Sequence, residues 1–532
     1  MNLLIWLVSF TASGHELKIV PVAAQFCRGN AVILLSMNVL SCITAVLSLL
    51  TAAFVFTSFS RPYSIGGATF FGGFAIYAIW TGRGVGRCKR QIIARLKGLV
   101  WTQEDFCRGW LITGDTGSGK TRSGINQLLF QVFSNGGKWG GLCIDDKGVY
   151  WETLVGMARH FKRENDLILL QVRPDNPPDR WKPTHTFNLL SDRTIPFTTY
   201  AKFVVDTATS LGQRNDQSFF KNQAQTHIAY GLEMLAQTGM DVALDNVQAL
   251  LLNEEYLDIA LNQLAAADSN ERGRDLIEHF TKRYREQPPE QMGGVKETIA
   301  NYLQYFLTPD ISEVFCAYKS TFGFHEIDAG KIICVAMPQK YQAERRYVNT
   351  FLKMLFYTHV LRRFDKPQEE RERDNLLILW ADEAQRFVTA SDEGMSDYNC
   401  IDVMREAKAT LVAAAQSSTS FIPPLGAEKA NVLTLNLRNR MIFKAADEAG
   451  AIQSADFLGQ KKIKKPTYGY SGGMHTRTYT EMEEHKIKPY LLRQLCKHQC
   501  VLVHCEKGYK KLVLPPMEPD GTTSKWFRPS II

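Results

Sequence analysis

The chain has 532 residues, of which 45% are hydrophobic and 22% charged, and its formal net charge is +8. This composition excludes a disordered chain, and the length predicts about two to four structural units. The modest positive charge permits a polyanionic partner without requiring one. The 11 cysteines form no small-domain framework, so we expect reduced and mostly buried thiols.

Two uncharged stretches lie near the N-terminus, at residues 29–60 and 62–82. Each is long enough to cross a bilayer, so we predict membrane helices at about 31–56 and 63–82, within an anchor of residues 1–98. Core helices of a globular domain are the alternative, although such helices seldom run so long without charge. Six basic residues follow the second stretch: Arg83, Arg87, Lys89, Arg90, Arg95 and Lys97. This cluster favours a multi-pass protein with its body on the cytoplasmic side.

An octapeptide further along reads G-x-x-x-x-G-K-T, the pattern of a phosphate-binding loop. Its residues are Gly114, Asp115, Thr116, Gly117, Ser118, Gly119, Lys120 and Thr121. Glycines let backbone N–H groups wrap a polyphosphate, while Lys120 is expected at the β/γ-phosphates and the Thr121 hydroxyl at Mg²⁺. The apolar run Trp110–Thr113 predicts a strand before the loop, and a helical pattern follows it. We therefore predict ATP and Mg²⁺ as ligands.

After residue 100, short apolar runs alternate with helical stretches, which predicts an α/β domain with a mainly parallel sheet. The candidate strands are Trp110–Thr113, 141–144, 167–172, Ile332–Ala336, 376–380 and 410–414. One of them ends in two carboxylates, Asp382 and Glu383. Beside a phosphate loop, Asp382 is expected to hold Mg²⁺ through water, and Glu383 to polarise the water that attacks the γ-phosphate.

A helix-rich block from about 198 to 308 separates the phosphate loop from the carboxylate strand, and we interpret it as an inserted all-helical domain. The predicted units of the body are residues 99–197 (first part of the motor), 198–308 (insertion), 309–515 (second part of the motor) and 516–532 (tail). Near the end of the motor, Arg405 lies on a predicted helix and Gln416 ends the strand after it. In ring ATPases a glutamine there senses the γ-phosphate, and an arginine at the subunit face completes the neighbour's site. For a single arginine, a solvated helix face remains the alternative.

Two late segments leave alternatives open. The basic segment Lys461–Pro466 precedes a Gly/Ser/Tyr/Thr-rich stretch that runs up to residue 480. One interpretation is a mobile basic loop that faces DNA or a neighbouring subunit, and the alternative is a solvated surface loop. Five residues could be zinc ligands: Cys496, His498, Cys500, His504 and Cys505. Their C-x-H-x-C spacing fits no usual structural zinc site, and the apolar residues 501–503 between them resemble a strand. We therefore do not predict a metal there.

Several motifs in one order resemble those of type IV secretion coupling proteins, within the FtsK/HerA superfamily. They are Gly114–Thr121, Ile144-Asp145-Asp146-Lys147-Gly148, Phe187-Asn188-Leu189-Leu190, Asp382-Glu383-Ala384-Gln385, Ala414-Ala415-Gln416-Ser417 and Asn436-Leu437-Arg438-Asn439-Arg440. The resemblance covers most of residues 30–515. The family usually has Asp-Pro-Lys-Gly where this chain has Asp145-Asp146-Lys147-Gly148, a change that preserves a tight turn but leaves the role of that loop open.

The resemblance implies a RecA-like P-loop motor, anchored in the bacterial inner membrane, that assembles as a homohexamer and hydrolyses ATP. It implies recruitment and pumping of DNA, single- or double-stranded, toward a conjugation channel. The implied partners are the membrane, a relaxase or relaxosome, and inner-membrane components of the channel. By the same resemblance, Gln416 matches the glutamine sensor, and Arg405 and Arg108 match arginines that reach the adjacent subunit's nucleotide.

Two other functions fit the residues. One is an FtsK/HerA-like DNA translocase outside secretion. The other is a receptor that docks protein substrates on the helical insertion, with ATP as a conformational switch. ATP hydrolysis that DNA stimulates in a salt-dependent way separates a DNA motor from a protein receptor.

Overall fold

The computed structural model describes residues 4–9, 18–23, 91–212, 218–266, 271–392, 394–471 and 474–523. The chain divides into two compact units, residues 1–90 and 91–532. In the first unit, strand β1 (Leu4–Ser9) pairs antiparallel with β2 (Lys18–Ala23).

The expected location as a multi-pass membrane protein is corrected by the structure. Among the described residues, no helix is both long and apolar enough to cross a bilayer. The two helices of 20 residues, Ser218–Gln237 and Gln342–Leu361, interrupt their apolar faces with charged and amide side chains, which a bilayer core disfavours. The two predicted spans, 31–56 and 63–82, lie outside the described residues.

The second unit is built on a nine-stranded sheet. Its strands are β5 (Trp110–Thr113), β6 (Gly140–Asp145), β7 (Leu167–Gln171), β8 (Ile332–Ala336), β9 (Leu377–Asp382), β10 (Ala409–Ala415), β11 (Asn439–Ile442), β14 (Gln499–His504) and β15 (Gly508–Val513). Their order in the sheet is β15-β14-β11-β5-β10-β9-β6-β8-β7. Of these strands, β14 alone runs against the others. The prediction of an α/β fold with a mainly parallel sheet is therefore confirmed, and all six predicted strands form with ends shifted by at most two residues.

The strands are apolar because helices cover the sheet on both faces. Side chains alternate along each strand, so Leu111 and Leu379 pack into one core while Ile112 and Trp380 pack into the other. All positions of β5, β6, β8, β9 and β10 are buried. This double burial produces the uninterrupted apolar runs that the sequence displays.

Helices of the second unit fall before, between and after these strands. They are α1 (Gln103–Phe106), α2 (Asn126–Asn135), α3 (Tyr150–His160), α4 (Phe197–Ser210), α5 (Ser218–Gln237), α6 (Leu244–Leu252), α7 (Glu254–Ala266), α8 (Glu271–Glu278), α9 (Pro289–Leu303), α10 (Pro309–Phe315), α11 (Gln342–Leu361), α12 (Gln368–Arg371), α13 (Asp397–Met404), α14 (Ile422–Leu425), α15 (Ala427–Asn436), α16 (Glu448–Leu458) and α17 (Pro489–Arg493). Helices α4 to α10 all lie between β7 and β8, where a helical insertion is predicted. The exact domain boundaries stay a prediction.

Two hairpins complete the second unit. Strands β3 (Ile92–Leu96) and β4 (Leu99–Thr102) pair antiparallel just before α1. Strands β12 (Gln460–Ser471) and β13 (Met474–His485) form a separate two-stranded sheet where the sequence predicts a loop. Threonine alternates with arginine or tyrosine over residues 476–480, a pattern typical of a strand.

Candidate nucleotide-binding site

The loop of residues 114–119 joins β5 to a helical turn that leads into α2. Its backbone angles and its close packing require glycine at specific positions. Gly117 and Gly119 adopt φ values of +79° and +102°, which disfavour any side chain. A Cβ on Gly114 would lie 2.6 Å from Ser118 Oγ. The Asp115 carbonyl accepts hydrogen bonds from the Ser118 amide at 3.1 Å and from its hydroxyl at 2.7 Å. The turn is therefore closed by its own residues, and it leaves Lys120 and the half-buried Thr121 at the start of the helix.

Neighbouring strands hold this loop at the carboxyl edge of the sheet, where open α/β folds bind ligands. The Gly114 amide donates to the Gln416 carbonyl at 3.2 Å, and the Asp115 amide donates to the Lys444 carbonyl at 2.8 Å. Gln416 follows β10 directly, and its side chain is exposed. The structure thus brings the predicted sensor glutamine to the base of the loop.

Lys120 and the two carboxylates meet at the same edge. Lys120 Nζ lies 3.1 Å from Glu383 Oε1, and both side chains are largely buried. Glu383 adopts a left-handed φ of +54°, which turns it off the end of β9 toward the loop. Its amide donates to Asp382 Oδ1 at 3.1 Å, and Gln385 Nε2 donates to its second carboxylate oxygen at 2.7 Å. A cation, a general-base candidate and a metal-ligand candidate therefore share one small volume.

The two carboxyls differ in their tendency to hold a proton. Burial raises the pKa of Asp382 to about 6, because the nearby charge of Lys120 only partly offsets the loss of solvation. Burial also acts to raise the pKa of Glu383, but Lys120 and the hydrogen bond from Gln385 outweigh it, so this pKa is lowered. Glu383 is thus held as a carboxylate, and Asp382 is a buried group that gains from a cation.

The Asp145–Gly148 loop lies one strand away, since Asp145 and Asp382 are register partners on β6 and β9. Asp145 accepts hydrogen bonds from the amides of Val149 and Tyr150 at 3.0 and 3.2 Å, and so stabilises the start of α3. Asp146, where the resemblance leads one to expect proline, is held by Arg346 through contacts of 2.6 and 3.0 Å. An ion pair thus fixes the turn.

A residue of the candidate site whose position the sequence does not predict is His498, immediately before β14. Its amide donates to the Ser118 carbonyl at 2.8 Å. Its Nδ1 lies 2.8 Å from Ser123 Oγ, on the first helical turn after the loop. A Cβ on Gly119 would lie 2.6 Å from the same nitrogen, so the imidazole packs directly against the loop backbone. His498 therefore supports the phosphate loop from outside; only its place in the Cys/His-rich segment marks it in the sequence.

The two predicted arginines lie in different environments. Arg405 follows α13 and is exposed, and it forms no ion pair with any described residue. Arg108 is largely buried and pairs with Glu506, with Glu104 at 3.9 Å on its other side. Within one subunit, neither is brought to Lys120 or Glu383 by a hydrogen bond. Their predicted roles depend on a second subunit and stay predictions.

The other residues of the Cys496–Cys505 segment have separate surroundings. Cys496 is exposed and Cys500 is buried in the sheet. His504 donates from Nε2 to the Val100 carbonyl at 3.0 Å and accepts at Nδ1 from the Glu506 amide at 3.0 Å. Asp105, His504 and Cys505 lie close together, but both ring nitrogens of His504 are already used.

Comparisons with known proteins place this geometry in a family. The model of the "Type IV secretion-system coupling protein DNA-binding domain" matches residues 90–507. The chain belongs to this family. The predicted relationship to type IV coupling proteins is therefore confirmed, and the match includes both the phosphate loop and the hairpin of β12 and β13. A search of curated proteins found no match.

Solved structures of the bacterial conjugative coupling protein TrwB share the fold. The unbound TrwBΔN70 is 15% identical with a TM-score of 0.60, covering 83% of this chain and 92% of TrwBΔN70. TrwB with the ATP analogue ADPNP is 14% identical with a TM-score of 0.59, covering 84% and 93%. TrwB with ADP and Mg²⁺ is 14% identical with a TM-score of 0.58, covering 83% and 94%. The α/β architecture of this coupling protein is thus that of TrwB.

Proposed function

We propose that this coupling protein is an ATP-hydrolysing motor that pumps DNA, alone or with bound protein, during conjugative transfer. The observation that supports this most is the 3.1 Å contact between Lys120 Nζ and Glu383 Oε1 at the mouth of the phosphate loop. It places a phosphate-binding cation and a general-base candidate within reach of one ligand. Related TrwB structures hold ADP with Mg²⁺ and an ATP analogue.

The residues fit ATP and Mg²⁺ on physical grounds. Steric contacts at Gly114 and Gly119 and left-handed backbone angles at Gly117 and Gly119 disfavour side chains in this loop, as close wrapping around phosphates requires. Thr121 and Asp382 are the oxygen ligands suited to Mg²⁺, and Asp382 is a buried carboxyl that a cation would stabilise. Mg²⁺ supplies neutralisation of the phosphate charge.

Each residue has a defined part in hydrolysis. Lys120 neutralises the β/γ-phosphates, and Glu383, held ionised by its surroundings, accepts a proton from the attacking water. Gln416, joined to the loop by its carbonyl, senses whether the γ-phosphate is present. Arg405 is exposed on the surface and completes the site of a neighbouring subunit, which requires a ring, and we propose a homohexamer.

The proposed partners follow from family membership. DNA is held mainly through its phosphates, with little reading of base sequence. A relaxase or relaxosome delivers the DNA, and components of the secretion channel receive it. The formal net charge of +8 is compatible with a DNA partner.

The test is ATP hydrolysis by the full chain, measured with and without DNA over a range of protein concentrations. A DNA motor with shared sites shows stimulation by DNA that rises cooperatively with protein concentration and weakens steeply with salt. Lys120→Ala serves as the inactive reference. Hydrolysis that is indifferent to DNA at every concentration contradicts the proposal. It would favour the receptor for protein substrates, with helices α4 to α10 as the docking surface.

A further inference from the structure

The hairpin of β12 and β13, here called the hairpin arm (residues 460–485), exposes both of its faces. Over residues 461–470 and 477–483 every side chain is exposed except that of Ile463, which is half-buried. Each strand has 12 residues, so the arm extends about 40 Å at about 3.3 Å per residue. An isolated two-stranded hairpin is only marginally stable in water, which favours a binding partner for this arm.

The two faces of the hairpin arm differ in chemistry. The register pairs Tyr468 with Arg477, and because side chains alternate between faces, Tyr470 and Tyr479 share the face of this pair. The exposed fractions of Tyr468, Tyr470 and Tyr479 are 71%, 72% and 53%. We call this surface the tyrosine face. The opposite face of the same segment presents Thr467, Thr478 and Thr480.

Arg477 orders the tyrosine face. Its guanidinium carbon lies 5.5 Å from the centre of the Tyr468 ring and 4.9 Å from that of Tyr479. These distances suit cation–π contacts with both rings, one on its own strand and one across the hairpin. The rings are therefore held apart with a cation between them.

The charges of the hairpin arm are also separated along its length. Three carboxylates lie near the base, where the register places Glu481, Glu483 and Glu484 opposite Lys464, Lys462 and Lys461. The first of these pairs is 3.6 Å apart. Residues 465–480 contain no Asp or Glu, and they include Arg477 on the tyrosine face and Lys465 on the opposite face. The distal half is consequently cationic as well as aromatic, which suits a polyanion that carries rings.

We propose that the tyrosine face binds single-stranded DNA, with unpaired bases stacked on the tyrosine rings and phosphates paired with Arg477 on the same face. Stacking on aromatic side chains accepts every base, so binding without sequence preference is expected. A duplex hides the faces of its bases, so this chemistry selects a single strand. The inference rests on the proposed DNA function and names the strand form and the surface that contacts it.

The test compares variants of the full chain for affinity to fluorescein-labelled oligothymidine by fluorescence anisotropy. Tyr468→Ala/Tyr470→Ala/Tyr479→Ala is expected to weaken binding about tenfold or more, because each stacked base contributes substantially to affinity. The matched control, Thr467→Ala/Thr478→Ala/Thr480→Ala, changes the opposite face of the same hairpin and should shift affinity less than about twofold. Replacing the three tyrosines by phenylalanine keeps the rings and should preserve binding.

Four outcomes would overturn the inference. If the tyrosine and threonine variants bind DNA with equal affinity and DNA still stimulates ATP hydrolysis, the tyrosine face is not the DNA-binding surface, and the proposed function is unaffected. If the tyrosine variant loses as much affinity for a blunt duplex as for oligothymidine, the tyrosine face does not select single strands. Loss of self-association by the tyrosine variant in sedimentation, without loss of DNA affinity, identifies a second copy of the chain as the partner. Wild-type protein that neither binds DNA nor responds to it refutes the proposed function and the inference together.

Discussion

Lys120 Nζ and Glu383 Oε1 lie 3.1 Å apart, although 263 positions separate the two residues in the chain. The lysine that a triphosphate needs is thus paired with the carboxylate that is expected to activate water. An incoming phosphate competes with Glu383 for Lys120. We therefore expect a bound nucleotide to exchange this ion pair for one with its phosphates and to release the carboxylate for its proposed role.

Glu383→Gln should separate binding from hydrolysis. Without the carboxylate, Lys120 loses its ion-pair partner, so nucleotide affinity is retained or rises a few-fold. Hydrolysis should fall about 10²- to 10⁴-fold, because the general base is lost. Equilibrium binding of a fluorescent ADP analogue and steady-state phosphate release measure the two effects. Glu428→Gln, at an exposed position in the first turn of α15, is the control and should change neither. Normal hydrolysis by the Glu383 variant contradicts the assigned role.

Arg405→Ala should reduce hydrolysis through the neighbouring subunit. Its side chain is exposed and forms no ion pair with any described residue, so the substitution should leave nucleotide affinity and thermal stability unchanged. Mixing Arg405→Ala protein with Glu383→Gln protein should restore part of the activity that each lacks. In such mixed rings, some subunits with an intact Glu383 lie beside subunits with an intact Arg405. Failure of every mixing ratio to recover phosphate release would exclude a role in trans.

Much of the fold follows from the sequence because buried parallel strands appear as apolar runs. The strand β11 (Asn439–Ile442) is not an apolar run and is not predicted from the sequence, because two of its four buried residues are polar. Asn439 accepts a hydrogen bond from Trp101 Nε1 at 2.8 Å, and Arg440 donates to the Thr434 carbonyl at 2.6 Å and stacks on Phe457. Such tertiary partners make polar residues acceptable in a core, and local sequence does not display them.

The candidate site likewise has a part that local sequence predicts and a part that only the folded structure shows. The phosphate loop and the pair Asp382-Glu383 are local patterns, and their residue types predict their chemistry. The contact of His498 with Ser123 joins positions 375 residues apart, and only the return of β14 to the sheet brings them together. The left-handed backbone of Glu383 is likewise a product of the folded loop. Long-range support of a local motif is thus the part that sequence reasoning misses.

His498→Ala should loosen the phosphate loop and weaken nucleotide binding about five-fold, the effect of losing one hydrogen bond of about 1 kcal/mol. Because His498 does not contact the reacting groups, KM should rise while kcat changes little. Ser123→Ala removes the other partner of the same contact, so the double variant should bind nucleotide no more weakly than His498→Ala alone. Additive losses in this cycle would show that the 2.8 Å contact is not the cause.

The helical block contains a buried histidine pair that should make its stability depend on pH. His227 Nδ1 lies 3.1 Å from His279 Nε2, and Tyr230 stacks on His279 with ring centres 3.8 Å apart. Burial lowers the pKa of His227 to about 3, helped by His279, and lowers that of His279 to about 4, helped by Arg283 and Arg272. Both imidazoles are consequently neutral in the folded protein at pH values where an unfolded chain already protonates them.

Acidification should therefore destabilise this block. The unfolded chain takes up protons below about pH 6.5 and the folded chain does not, so the free energy of unfolding falls as the pH drops from about 7 toward 4. At pH 5 the loss should reach about 2 kcal/mol from His227 and a similar amount from His279, because both folded pKa values lie below 5. Urea unfolding at pH 7 and pH 5, compared between wild type and His227→Gln, measures the difference. The variant should be less stable at pH 7 but should lose less on acidification. An identical pH dependence in the two proteins would exclude the histidine pair as its source.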